Sequence, residues 1–297
     1  QAGDRAKGGT LVVTLEPCCH HGRTPPCSEA VLRAGISRVV IALKDPDPRV
    51  AGGGIAQLRA AGLEVISGVL QTEATFQNRA FLHRVRTGRP WGTLKWAMGL
   101  DGRTALTNGE SQWISGPTAR EWVYRLRSKS DAVIVGGGTV RTDNPLLTSR
   151  GRRIPEPLRV VLSRSMELPA TAQLWDTTLA PTLVAHGPES KERPFPSGPD
   201  RLLLPTSEPE PLMKELALRG CNRVLWECGP ELAAAAIRQG CIQDVAVVVA
   251  PKLMGGLPAR TPLGDLGLTA MDQVAAGSLL SPEQLGSDWL FQFRLTA

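Results

Sequence analysis

Apolar and polar positions along the chain separate short strands from amphipathic helices. TLVVTL, from Thr10 to Leu15, is a β-favouring run. A polar, proline-rich loop follows to Pro26, then a helical pattern over Ser28 to Ala34 and a second apolar run from Arg38 to Leu43. Strand, helix and strand at that spacing predict a βαβ unit. The loop DPDPRVAGGG, 45–54, leads into a helix over Ile55 to Ala61 and a third strand over Glu64 to Val69, with the long crossovers that parallel pairing needs. Thr72 to Arg86 reads as a helix stopped at Gly88 by Arg89 and Pro90. The domain boundary is placed there, giving segments 1–88 and 89–297.

The second segment continues the alternation. Strands are predicted from Trp91 to Met98, Ala132 to Val135, Val160 to Leu162, Thr182 to Ala185, Val224 to Trp226 and Val245 to Val249. Helices are predicted near Pro117 to Arg127, 211–219 and 230–239, with strand and helix alternating to the end. Pro169 to Pro211, rich in Pro, Thr and Ser, carries the weakest pattern. The fold class is α/β.

Length and composition narrow the function. The 297 residues suffice for two cores, and 42% apolar with 21% charged residues is ordinary for a globular enzyme. No run approaches the roughly 18–20 apolar residues of a membrane span, and no charged-then-apolar leader opens the chain, so a cytoplasmic protein without a membrane partner is expected. The net charge of +6 sits mostly in residues 1–90, which hold 12 Lys and Arg against 7 Asp and Glu. That excess suits phosphorylated ligands, and without a long basic run interleaved with aromatics no nucleic-acid partner is expected. Six Cys fall in two clusters, three of them (Cys18, Cys19, Cys27) within ten residues, which indicates metal chemistry in a reducing compartment rather than a disulfide framework.

The densest chemical signal is TLEPCCHHGRTPPC, Thr14 to Cys27. Cys18 and Cys27 could meet on one Zn2+, which takes thiolate and imidazole ligands in a tetrahedron. Taken alone, the pair is equally compatible with two structural thiols. Zinc nucleobase deaminases combine an HxE element with a later PCxxC, and here the second element is stretched. PCCHHGRTPPC resembles the deaminase domain of the bifunctional riboflavin-biosynthesis deaminase/reductase family. The later motifs LKWAMGLDGR (94–103), GESQW (109–113), VGGGTVRTDNPLLTSR (135–150), LWECGPELAAAA (225–236) and APKLMGG (250–256) resemble its reductase domain. The likeness spans essentially the whole chain.

The resemblance implies a cytidine-deaminase-like three-layer domain followed by a dihydrofolate-reductase-like domain. It makes Cys18 and Cys27 zinc ligands, with a third ligand and a catalytic Glu in an HAE motif. Residues 1–9, QAGDRAKGG, contain neither His nor Glu, so the expectation is an N-terminally truncated deaminase domain without its third ligand. His20 and His21 are alternative imidazoles, and the resemblance places His20 in the substrate-side loop. Cys19 reads as a spectator thiol, and Arg23, Thr24 and Pro25 as a loop that either contacts ligand or is solvated.

For the reductase, the resemblance implies NADPH at Ala97, Trp113, Thr139, Asp143, Gly229 and Pro230. It implies a phosphorylated pyrimidine substrate at Ser111, Arg127, Leu146, Leu147, Arg150 and Glu227, with Arg127 and Arg150 clamping a 5-phosphate. Lys95 and Glu227 are the candidate catalytic pair, orienting the ribose. Ser163 and Arg164 are weaker candidates for reading the 2-phosphate of NADPH. The glycines of 136–138 lack GxGxxG spacing, which argues against a Rossmann domain. A homo-oligomer is expected. The rivals are a reductase with a degenerate deaminase remnant, a deaminase acting on RNA, which leaves the second-segment motifs unexplained, and a non-catalytic pyrimidine-phosphate binding protein.

Overall fold

The computed structural model describes residues 2–22, 24–191, 193–257 and 260–296. The chain divides into two compact units, Gln1–Thr87 and Gly88–Ala297.

The first unit runs β1 (Thr10–Leu15), α1 (Cys27–Arg33), β2 (Arg38–Leu43), α2 (Gly53–Ala60), β3 (Glu64–Ser67), α3 (Gln71–Thr87). Its three strands pair in parallel in the order β1-β2-β3. Val39 and Ile41 of β2 are fully buried against Val31, Ile55 and Leu58, while Ala42 and Leu43, at the end of the strand, cluster with Ala74 and Leu82 of α3. The third strand ends at Ser67, short of the predicted Val69.

The second unit runs β4 (Trp91–Gly99), α4 (Pro117–Ser128), β5 (Ala132–Gly136), α5 (Gly137–Asp143), β6 (Leu158–Leu162), β7 (Thr182–His186), β8 (Asp200–Leu203), α6 (Pro209–Leu218), β9 (Arg223–Trp226), α7 (Pro230–Arg238), β10 (Asp244–Ala250), β11 (Gly277–Leu279), β12 (Glu283–Leu285), β13 (Asp288–Leu295). The sheet order is β11-β13-β10-β4-β9-β5-β6-β7-β8, with β12 on β13. From β10 to β8 every pairing is parallel. Both faces are buried, and strict alternation decides which residue serves which: Ile134, Val160, Leu183 and Trp226 pack with α6 and α7, whereas Val133, Val161, Val184 and Leu225 pack with Val140 and Leu174.

Two elements appear that the sequence pattern does not predict, and one expected pattern stops. Helix α5, with Gly137 and Gly138 in its first turn, has poor intrinsic propensity and is held by Val140, 1% exposed in the core. Strand β8 emerges inside the weakly patterned proline-rich stretch. After β10 the expected strand–helix alternation stops, and an antiparallel set closes the sheet, with Val247 opposite Phe291 and Val248 opposite Leu290. None of the described helices is long and apolar enough to cross a membrane.

Candidate active site

In the second unit, β4, β5 and β9 lie side by side as β4-β9-β5, and residues at and just beyond their C-terminal ends line two adjoining cavities. The carboxyl edge of parallel strands is where loops and helix starts converge. One cavity, about 410 Å³, is walled by Gly136, Gly138 and Thr139 at the start of α5, and by Cys228, Gly229 and Pro230 at the start of α7. The other, about 440 Å³, is walled by Lys95, Trp113, Arg120, Tyr124, Arg127, Leu146 and Arg150. Ala97, Ser111, Asp143 and Glu227 line both.

Glu227 follows β9 directly, and its amide continues the ladder by donating to the Ile134 carbonyl. Its carboxylate accepts two hydrogen bonds from Arg127, 2.6 Å from Nε and 3.0 Å from the terminal nitrogen, and lies 3.9 Å from Lys95 Nζ. The third guanidinium nitrogen of Arg127 donates to the Thr148 carbonyl at 3.2 Å. All three side chains are at most 14% exposed. Burial works against the Glu227 carboxylate, but Arg127 and Lys95 outweigh it and hold its pKa below the usual range. Burial likewise pulls the Lys95 ammonium below its ordinary value, opposed by Glu227 and reinforced by Arg127. Asp143 is pushed upward by burial, against the pull of the Ser111 hydroxyl at 3.5 Å and of Arg260. The Cys228 thiol is pushed up to about 12 by burial, which makes it an inert wall.

The structure distributes the sequence-derived residues unevenly. Ala97, Thr139, Asp143, Gly229 and Pro230 line the glycine-walled cavity, and Ser111, Arg127, Leu146, Arg150 and Glu227 line the other. Trp113 is on the arginine side, 61% exposed, with its ring 4.6 Å from the Arg120 guanidinium. Leu147 is a core residue, 2% exposed among Val140, Val161 and Leu174. Arg127 makes two hydrogen bonds to Glu227 and one to the Thr148 carbonyl, and lines the same cavity as Arg150. Ser163 is buried, its Oγ accepting from the Met166 amide, and Arg164 pairs with Glu208 at 3.0 Å; neither lines the two cavities. Arg120, Tyr124 and Arg260 were missed. Arg120, Val123, Tyr124 and Arg127 stand at i, i+3, i+4 and i+7 on α4, a spacing the sequence displays.

In the first unit the Cys27 amide donates to Cys18 Sγ at 3.3 Å, and the hydrogen bond between the two thiols pushes Cys27 upward. Glu16, 3% exposed, organises the neighbouring loop: its oxygens accept from the amides of Asp45 (3.1 Å), Gly52 (3.0 Å) and Ile55 (3.0 Å). Gly54 packs so closely on Pro17 that a Cβ there would strike its carbonyl oxygen. Cys19 Sγ donates weakly to the Arg49 carbonyl. Arg23 lies outside the described residues. Among the described residues no group of three or more His, Cys, Asp or Glu could hold a metal ion, so the two thiols supply half of a tetrahedral set and the residues do not fit a complete zinc site. The glycine-walled cavity does fit a dinucleotide: nothing stands within 4 Å of the Cβ position of Gly229, so a ligand can approach that backbone closely.

The family model of the RibD C-terminal domain matches residues 90–291. The riboflavin biosynthesis protein RibD of Synechocystis is 49% identical over 98% of this chain and 80% of its own length, and that of Aquifex aeolicus is 38% identical over 99% and 83%. Among solved structures, Acinetobacter baumannii RibD is 37% identical with a TM-score of 0.87, covering 100% of this chain and 83% of its own. A Thermotoga maritima diaminohydroxyphosphoribosylaminopyrimidine deaminase/5-amino-6-(5-phosphoribosylamino)uracil reductase is 32% identical with a TM-score of 0.84, covering 98% and 80%. Matched along nearly its whole length, the chain belongs to the RibD family of riboflavin-biosynthesis enzymes.

Proposed function

We propose that the second unit uses NADPH to reduce the ribosyl group of 5-amino-6-(5-phosphoribosylamino)uracil to a ribityl chain. The observation that carries this is the pair of cavities, one walled by helix-start glycines and one by guanidinium groups, meeting at Ala97, Ser111, Asp143 and Glu227. A nicotinamide cofactor supplies the hydride. Gly229, Pro230, Thr139 and Asp143 would hold it, and Ala97 would leave room for the ring. That hydride would be taken up at the sugar C1 as its bond to the ring oxygen opens, the freed oxygen taking a proton. The chain holds donor and acceptor in contact and excludes water. Lys95 and Glu227 orient the ribose, Ser111 and Leu146 line its path, and Arg150 meets the phosphate.

Hydrolytic deamination of the preceding pyrimidine is the family activity the first unit would serve, with Cys18 and Cys27 as zinc thiolates; with two ligands described, no step is derived through the metal. The proposal includes a cytoplasmic location and a homo-oligomer, the latter read by sedimentation. The decisive experiment is NADPH oxidation with the deaminated pyrimidine phosphate and, in parallel, its aminated precursor. Oxidation with the deaminated compound supports the reductase. Oxidation with neither, together with no binding in an NADPH titration, would favour a pyrimidine-phosphate binding protein.

A further inference from the structure

The segment 144–150 supplies Asn144, Pro145, Leu146 and Arg150 to the wall of the substrate-side cavity. It holds three non-glycine residues in the left-handed region: Asn144 at φ 40°, Leu147 at 56° and Arg150 at 59°. Residues other than glycine and asparagine disfavour that conformation, so Leu147 and Arg150 keep it only where neighbouring structure holds them. For Leu147 the hold is the core, where it packs beside Val140 and Leu174. Arg150 is exposed, so packing does not account for it.

The Arg150 turn is held through its backbone instead. One carboxylate, that of Glu156, accepts from the amides on either side of Arg150: from Ser149 at 2.6 Å and from Gly151 at 2.8 Å. Ser149 is fully buried, so its amide depends on that acceptor. Hydrogen bonds to an ionised group are the stronger class. Burial works against the Glu156 carboxylate, but the Ser149 and Gly151 amides outweigh it and hold its pKa below the usual range. Other ties fall elsewhere on the segment. Arg159, buried in β6, donates to the Leu146 carbonyl at 3.3 Å, and Arg127 donates to the Thr148 carbonyl. Arg152 donates to the Ser149 and Arg150 carbonyls at 3.2 and 3.3 Å while pairing with Glu121 of α4. Of these groups, only Glu156 engages the two amides that bracket Arg150.

We infer that Glu156 is a positioning residue for the substrate side of the site, setting the left-handed turn from which Arg150 reaches the cavity. The inference rests on the reading of Arg150 as a substrate contact. Glu156 is not among the residues that wall the cavity, and its carboxylate is occupied by backbone, so it acts through Arg150 and not on the substrate. Without that carboxylate the turn is free to leave the left-handed region, and the Arg150 guanidinium loses its place 5.5 Å from the Tyr124 ring.

The test is a double-mutant cycle in the full chain: Glu156→Ala, Arg150→Ala and both together, with Glu156→Gln as the conservative variant. Steady-state kcat and KM are read with 5-amino-6-(5-phosphoribosylamino)uracil and NADPH, and hydrogen exchange is read for peptides spanning 145–153 and for β5. Glu156→Ala should raise the pyrimidine KM by about fivefold or more and leave the NADPH KM within about twofold. Added to Arg150→Ala, it should change the pyrimidine KM by less than about twofold, because the residue it acts through is gone. Exchange should quicken in 145–153 and not in β5. Glu156→Gln, which keeps one acceptor oxygen, should fall between wild type and Glu156→Ala in both readouts. Effects on KM that multiply in the double variant would overturn the inference. So would an unchanged pyrimidine KM in Glu156→Ala, or faster exchange throughout the second unit with equal KM losses for both substrates. If Arg150→Ala leaves the pyrimidine KM unchanged, or wild type oxidises no NADPH with this substrate, the substrate reading fails and the inference falls with it. Multiplying effects beside a raised KM in Arg150→Ala would instead keep that reading and remove Glu156 alone.

Discussion

Glu16 and Glu227 occupy the same kind of place, each immediately beyond the C-terminal end of a parallel strand and each buried, yet they do different work. Glu16 is enclosed by three backbone amides, which uses its lone pairs to shape a loop and leaves little for a ligand. Glu227 is met by two cationic side chains and still lines both cavities. A buried carboxylate satisfied by backbone is architecture; one satisfied by ionisable side chains at a cavity wall is available to chemistry.

That contrast can be broken most forcefully at Glu16. Glu16→Ala orphans three amides at roughly 1–3 kcal/mol each, enough to unfold a small unit. Limited proteolysis should cut the 45–55 loop while NADPH oxidation persists; a protected loop would show that Glu16 is not what holds it. Next, Glu227→Ala strands the Arg127 and Lys95 charges and should cost the second unit about 3–5 kcal/mol along with its activity, read by thermal unfolding and NADPH oxidation. An active, equally stable variant would remove Glu227 from the site.

Two glycines sharpen the comparison. Gly54→Ala forces a methyl into the Pro17 carbonyl and should lower first-unit stability by about 1–3 kcal/mol, whereas Gly229→Ala meets open space, leaves the melting temperature unchanged and raises the KM for NADPH by several-fold. The smallest effect is in the acid limb. Because Arg127 and Lys95 hold Glu227 below the ordinary 4.5, its stabilisation is complete above that pH and is lost as the pH falls through the lowered folded-state value. Denaturant titrations below pH 4.5 should therefore show a steeper loss in wild type than in Glu227→Gln; parallel curves would mean the carboxylate is not held low.

Much of this was readable beforehand. Strands such as Thr10–Leu15 and Arg38–Leu43 fall at their expected bounds because β-branched runs between turn residues carry their own signal. α5 and the closing antiparallel strands were not readable: a helix opening on glycines and short strands of mixed polarity have no local preference, and exist because a core residue or a paired strand stabilises them. In the site, the motifs marked Lys95, Arg127, Arg150 and Glu227, but not who pairs with whom.

The amino-acid sequence by itself determined the parallel α/β alternation, the family and the segments that supply the cavities, since these depend on periodicity and local residue type. Only the tertiary structure decided that Arg127 pairs with Glu227, that Leu147 is core, and that Arg120 stands over Trp113. The physical reason is range: propensity and spacing act over a few residues, whereas Glu227 meets Arg127 across a separation of 100 residues, and a charge takes its role from what folding sets beside it.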